Sequence, residues 1–268
     1  MSHLLREIAP IDESGWSLLD AEARQRLTVA LAARRLVDFE GPRGWQHSAT
    51  NLGRSERLAG ALVAGVAGRR RRVLPLLELR AEFTLARGEL EDAQRGAADL
   101  DLDALDDAAL SVATAENVAI LHGWEAAGIT GVAAASPHAA IPLDGDFGSY
   151  PRCVARAVET LSGAGVVGPY ALALGPEHYT GVVETTEHGG YPVFDHLRKI
   201  IGGEIVRAPG ISGGVVLSRR GGDFLLDCGQ DLSIGYLSHD ADSVTLYLEE
   251  SFSFHVAGPE AAVAFTTA

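Results

Sequence analysis

Five short patterns in this chain carry residue types capable of chemistry, and each is tested by the structure its context implies. Gly163-Ala-Gly165-Val-Val-Gly168 matches the glycine spacing that lets a dinucleotide pyrophosphate meet helix N–H groups. That site needs a strand before it and a helix after it, and the patterning here runs the other way. Gly210-Ile-Ser212-Gly-Gly214 has the letters of a serine nucleophile elbow. An elbow joins a strand to a helix, whereas strands are predicted on both sides, with no assignable base. Asp99-Leu-Asp101-Leu-Asp103 opens like a calcium loop, but position six is Ala104 and position twelve is Leu110. These aspartates read as caps and dipole partners of the helix that follows. His178, His188 and His196 form the one local histidine group; Gly189, Gly190 and Pro192 keep His188 and His196 off a common helix face, so Glu184–Gly190 reads as a mobile polar loop rather than a metal site. Arg69–Arg72 is a basic run in an acidic chain, better suited to an acidic neighbouring subunit than to nucleic acid.

The elements that would position these residues follow from periodicity. Asp12 is an N-cap for a helix over Glu13–Arg35, with Ile11 and Trp16 as a hydrophobic staple and Trp16, Leu19, Ala23, Leu27, Ala30 and Leu31 on one face. Asn51–Arg72, broken by glycines, reads as a long exposed arm that needs a partner surface. Pro75–Leu85 reads as a strand, Ala86–Arg95 as a short helix, and Leu102–Ala127 as a second long helix with Trp124 in its apolar stripe. Helices over Phe147–Gly163, Pro176–Glu184 and Tyr191–Ile201 alternate with strands over Tyr170–Leu174, Glu204–Arg207 and Gly214–Ser218. The end is β-rich, with apolar and polar residues roughly alternating from Thr245 to Phe254.

Composition sets the class. The 268 residues are 47% hydrophobic and 22% charged, which describes a folded globular chain, and the net charge of −14 argues against general phosphate binding. No apolar run reaches membrane-spanning length, and Met1–Glu7 lacks the apolar core of a signal peptide, so a cytoplasmic location is expected. Two cysteines, Cys153 and Cys228, are expected to be free and buried.

Several stretches together resemble the encapsulin shell proteins, called linocin-type or bacteriocin-like in older usage. They are Leu5–Pro10, Arg34–Trp45, Pro75–Leu85, Ala119–Gly131, Gly168-Pro169-Tyr170, His188–Pro192 and Arg219–Phe254, the last holding RGGDF at 220–224 and GQDLSIGY at 229–236. The resemblance implies an α+β fold like the major capsid proteins of tailed phages. Its parts would be a peripheral domain in 1–50, 74–136 and 225–268, the last as its C-terminal sheet, an extended loop in 51–73, and an axial domain in 137–224, with the second long helix as spine. It implies a non-enzymatic shell subunit that assembles with itself into a closed icosahedral particle of roughly sixty copies or a larger multiple. Such shells enclose cargo enzymes, commonly dye-decolourising peroxidases or ferritin-like iron oxidases serving iron storage or oxidative-stress defence, recruited by a short C-terminal peptide on the cargo. By resemblance, the peptide groove would use Leu27, Leu31, Arg34, Asp38, Ile234 and Tyr236, and a pore loop would comprise Glu184, Thr185, Thr186, Glu187, His188, Gly189 and Gly190. Some relatives stack a flavin on an aromatic after the Phe83–Leu85 strand; Ala86, Arg87 and Gly88 offer none, so no cofactor is expected. The rival readings are a serine hydrolase using Ser212 and a secreted bacteriocin.

Protonating a ring of His188 side chains, near the ordinary imidazole pKa of about 6.5, makes such a pore more positive. Cation uptake by intact shells is therefore expected to be slower at about pH 5.5 than at about pH 7.5; equal rates would refute the gating.

Overall fold

The structure, a computed structural model, describes residues 2–187 and 189–267. Helix α1 (Glu13–Ala30) starts where expected: Asp12 Oδ1 accepts the Gly15 N–H at 2.8 Å. A short strand β1 (Asp38–Glu40) leads to the arm, made of β2 (Ala49–Arg57) and β3 (Arg69–Pro75). Strand β4 (Leu77–Ala86), helix α2 (Arg87–Gln94) and the spine helix α3 (Asp103–Leu121) follow. Next come β5 (Gly123–Trp124), β6 (Ile129–Thr130), α4 (Val132–Ala135), β7 (Ile141–Leu143) and α5 (Tyr150–Gly163). Then β8 (Tyr170–Leu174), α6 (Pro176–Glu184), α7 (Val193–Ile201), β9 (Ile205–Arg207) and β10 (Gly214–Ser218) alternate largely as the sequence reading has them. The chain closes with β11 (Phe224–Cys228), β12 (Ser233–His239), β13 (Ser243–Val256) and β14 (Ala262–Thr267).

Two five-stranded sheets organise these elements. In the first, the 14-residue β13 is shared: β4 runs antiparallel along one edge, while β12 and then β11 take the other. β1 adds parallel to β11, so β12 presents a sheet edge without a strand partner. The spine helix packs on β4 and β13, and α1 packs on the spine. The second sheet runs β7-β14-β10-β8-β9, with α5, α6 and α7 against it.

Four expectations give way to tertiary structure. α1 ends at Ala30 rather than Arg35, and Ala33–Arg35 form a separate 3-10 turn. The cause lies 84 residues away: buried Asn117 accepts the Ala33 N–H at 2.9 Å and donates to the Ala30 carbonyl at 2.8 Å. The first bond satisfies an N–H that the break would otherwise orphan, and the second adds to the Ala32 N–H already donated to the Ala30 carbonyl. The spine stops at Leu121, not Ala127, because Gly123 (φ +103°) turns back against Gly131, and Cβ atoms at these two positions would lie 2.7 and 2.2 Å from the facing backbone. Trp124 consequently leaves the apolar stripe and is exposed. The alternation from Thr245 to Phe254 does not leave a wet face. Val244, Leu246, Leu248, Phe252 and Phe254 are buried, but so are Tyr247, Glu249, Ser251 and Ser253, which the arm base and the N-terminal residues cover. Residues 225–268 do not make one sheet: β14 pairs with β10 and β7 in the second sheet.

Asn117 also donates to the Pro209 carbonyl at 3.4 Å, so one amide ties α1, the spine and the approach to β10. Asn117→Ala leaves the Ala30 and Ala33 groups without these partners in a buried site and is expected to cost about 3 kcal/mol, read as a lower guanidinium midpoint.

Candidate functional site

The groove beside α1 is a cavity of about 520 Å³ between that helix and the start of β12. Its apolar lining comes from Leu27, Leu31, Ile234 and Leu248, because α1 turns one helical face toward the sheet while β12 supplies an edge. Four of the six groove residues expected by resemblance, Leu27, Leu31, Arg34 and Ile234, meet here. The other two do not. Asp38 sits in β1, where its Oδ2 accepts the Gly222 N–H at 2.6 Å and holds the turn before β11. Tyr236 is buried, with its hydroxyl 2.6 Å from His239 Nδ1 and its N–H donated to Leu4 O at 2.9 Å.

The residues missed by sequence reasoning are Leu4 and Arg6, which form one wall of the groove. Arg6 makes a bidentate pair with Asp20 at 2.7 and 2.8 Å, lies 4.6 Å from the Trp16 ring centroid, and donates through Nε to Ile234 O at 2.7 Å. The signal was present in the stretch Leu5–Pro10, but nothing local says that an arginine there reaches the other end of the chain.

Arg34 fixes the opposite wall. Its Nε donates to Glu116 at 2.7 Å, one terminal nitrogen to Glu250 at 2.6 Å and the other to Asp231 at 2.7 Å. Glu116 and Glu250 are fully buried, and Oε1 of each has no hydrogen-bond partner. Burial first, and then the neighbouring Glu116, hold Glu250 well above the ordinary glutamate range. Glu116 is raised as well, by burial, with Arg34 opposing. A proton retained on one of the two carboxyls lowers the cost of burying both beside a single guanidinium.

The loop expected to line a pore lies elsewhere, between α6 and α7. Glu184 ends α6, Val193 N–H donates to Thr185 O at 3.1 Å, and Thr186 bridges Pro192. Glu187 donates its N–H to Tyr191 O at 2.8 Å, and its carboxylate is 2.8 Å from His196 Nδ1. Gly189 and Gly190 take positive φ. His188 lies outside the described residues.

The remaining candidates are occupied structurally. Ser212 lies between β9 and β10, and its N–H donates to His122 Nε2 at 3.3 Å, so the nearby imidazole is engaged by backbone rather than by Oγ. Burial pushes the Cys228 thiol up to about 12, which removes it as a nucleophile at neutral pH. Burial alone would raise Asp227; hydrogen bonds from Thr50, Arg43 and His47 outweigh it and hold the carboxylate below its usual range, closing the polar face of β13 at the arm base. Ala86, Arg87 and Gly88 form the start of α2, where Arg87 N–H binds Asp242 O. Among the described residues, no group of three metal-ligating side chains converges and no helix is long and apolar enough to cross a membrane.

The two-sheet architecture with a spine helix and a projecting arm is that of virus-like-particle and phage capsid subunits. A virus-like particle from Pyrococcus furiosus superposes with a TM-score of 0.63 at 16% identity over 92% of this chain and 98% of its own. The capsid of Myoviridae phage XM1 gives 0.52 at 11% identity over 87% and 90%. Within that class, the family described as encapsulating protein for peroxidase matches residues 1–253. A type 1 encapsulin shell protein of Rhodospirillum rubrum is 49% identical over 98% of this chain and 96% of its own length. The chain belongs to the encapsulin shell protein family.

The carboxyl pair makes a signed prediction. Glu250 keeps its proton in the folded chain to a higher pH than in the unfolded chain, so the folded state binds more protons across that window and stability falls as pH rises through it. Glu250→Gln is expected to flatten this slope from the ordinary glutamate pKa of about 4.3 upward, measured by unfolding midpoints. Arg34→Met, which leaves the pair buried without its cation, is expected to cost about 3–5 kcal/mol.

Proposed function

We propose that this encapsulin subunit assembles with itself into a closed cytoplasmic shell of roughly sixty copies or a larger multiple, and that the groove beside α1 holds the C-terminal targeting peptide of an enclosed enzyme. The observation that carries the reading is the groove itself: a 520 Å³ cavity with an apolar lining beside a β12 edge that has no strand partner and is met by Leu4 at Tyr236 and by Arg6 at Ile234. An extended peptide gains apolar contacts in such a groove, and main-chain hydrogen bonds only from edge groups that Leu4 and Arg6 leave open. A peroxidase or a ferritin-like iron oxidase is the cargo class proposed, with iron storage or oxidative-stress defence as the purpose. The peroxidase reading is supported by the description of the family, and by nothing in this chain that performs redox chemistry. Glu184–Gly190 is proposed as the pore loop through which small molecules and ions reach the interior.

Many copies of a weak groove facing one lumen favour multimeric cargo, since each bound peptide raises the effective concentration of the next. The chain itself contributes containment and no chemical step.

Size-exclusion chromatography and electron microscopy of the purified chain, with mass spectrometry of whatever co-purifies, test the proposal. Megadalton hollow particles containing an enzyme are expected; compact monomers under every condition overturn it. Leu27→Asp combined with Leu31→Asp places two charges in the apolar lining. Intact particles with cargo reduced about tenfold or more are expected, whereas undiminished cargo places the peptide elsewhere.

A further inference from the structure

The groove beside α1 has five charged side chains in its lining, and four of them are committed. Arg6 and Asp20 hold each other, and Arg34 and Asp231 are joined beside Glu116 and Glu250. The fifth is Arg24. Among the described residues it makes no ion pair, and the two carboxylates within four residues of it on α1 are taken. Asp20 meets both terminal nitrogens of Arg6, and Glu22 pairs with Arg26, which also reaches Asp106. Arg24 is exposed, yet it faces the cavity, because it stands one turn before Leu27 and lines the same wall.

Contacts fix the direction of the groove. Arg34 meets Asp231 at one end, and Arg6 joins Asp20 to Ile234 at the other, so β12 passes α1 antiparallel. Arg24 follows Asp20 by one turn and so belongs to the Arg6 end. About 10 Å of helix separates it from Leu31, which is roughly three residues of extended chain.

An apolar occupant of this groove strips water from Arg24. The guanidinium keeps its charge at every physiological pH, so covering it without a partner is unfavourable, whereas a carboxylate matches its planar fork. The rest of the chain works the other way: at −14 it repels an acidic segment. In the lining the balance reverses, with three arginines against two aspartates, and the buried glutamates draw on Arg34 rather than on Arg24.

We infer that Arg24 determines which peptides the groove accepts, selecting apolar segments that carry an aspartate or glutamate within about three residues of the side chains seated on Leu27 and Leu31. The inference rests on the peptide binding proposed above and adds what the peptide carries and which residue reads it.

The probes are peptides of about ten residues with alternating leucines, flanked on both sides by aspartate, asparagine or lysine, so that either chain direction along β12 is covered. Each is fused to the C-terminus of a fluorescent protein and produced together with the full chain, and cargo per purified particle is read. The wild type is expected to load the aspartate-flanked cargo about threefold more than the asparagine-flanked one, and the lysine-flanked one least. Arg24→Gln is expected to make aspartate and asparagine equal, and Arg24→Glu to invert the order. Arg156→Glu changes net charge equally at an exposed position outside the lining and is expected to keep the wild-type order. Fluorescence anisotropy of the synthetic peptides on dissociated subunits gives the same comparison for any variant that does not assemble.

Equal loading of the three cargoes by the wild type overturns the inference, as does an order that survives Arg24→Glu or is inverted by Arg156→Glu. In each of those cases the groove reading stands as long as Leu27→Asp with Leu31→Asp still reduces loading. If that double variant leaves loading unchanged, the groove reading fails first and the inference falls with it.

Discussion

The burial of two glutamates beside one arginine is the constraint around which this fold closes. Glu116 comes from the spine, Glu250 from the longest strand and Arg34 from the turn after α1, and all three meet in the layer between helices and sheet. Two carboxylates and one guanidinium cannot all be charged there at low cost, because desolvation penalises each ion and the like pair repels. The raised proton affinity of both glutamates lowers that cost, since a protonated carboxyl is cheaper to bury than a charged one. The geometry that satisfies this set is narrow, and it fixes where α1 must stop relative to the spine. Asn117, one residue beyond Glu116, caps the same break. The polar cluster therefore specifies the packing of an otherwise aliphatic interface, where Leu, Ala and Val alone would tolerate sliding.

The groove inherits its shape from that cluster. Arg34 and Asp231 are at once members of the buried network and part of the groove lining. On the far side, Arg6 is pinned by Asp20, Trp16 and the Ile234 carbonyl. Leu4 adds to β12 through Tyr236, and His3 stacks on Trp45 at 3.9 Å, so the N-terminal residues cover part of the strand edge. Unprotected sheet edges invite indiscriminate pairing. Here the N-terminal segment takes the stretch near Tyr236, and the cavity confines what remains beside Ser233 and Ile234. A site held by charge networks on both walls keeps its form without a ligand, which lowers the ordering cost of binding.

Local signals were legible and long-range ones were not. The Asp12 cap, the arm, the short helix before the spine and the alternation of α5 to β10 follow from residues within a turn or two of each feature. The break after Ala30 depends on a side chain 84 positions later, and the end of the spine on two glycines eight residues apart that approach backbone to backbone. The same asymmetry marks the groove. Leu27 and Leu31 lie four residues apart on a helix and were readable as one face. Leu4 and Arg6 join them only because the first residues of the chain pack on a strand more than two hundred positions away. Asp38 has the charge for the groove, but β1 pairs with β11 and commits its carboxylate to the Gly222 turn.

The distribution of unmet interactions sets an interior, its charged groups largely paired, against an unfinished periphery. Inside, Arg34 offsets two buried glutamates, Asp227 is satisfied by three donors, and α1's broken end is capped, although the Gln230 amide and single oxygens of Asp106, Glu116, Glu249 and Glu250 lack partners. Outside, a ribbon with facing arginines and a solvated aliphatic tip projects from a body of opposite charge. Catalytic proteins usually show the reverse, with perturbed groups gathered in a cleft and a periphery that asks for nothing. The most strongly raised acids of this chain, Glu250, Tyr150 and Cys228, are buried in packing. A polypeptide arranged in this way spends its specificity on edges and surfaces, which is the physics of a building unit.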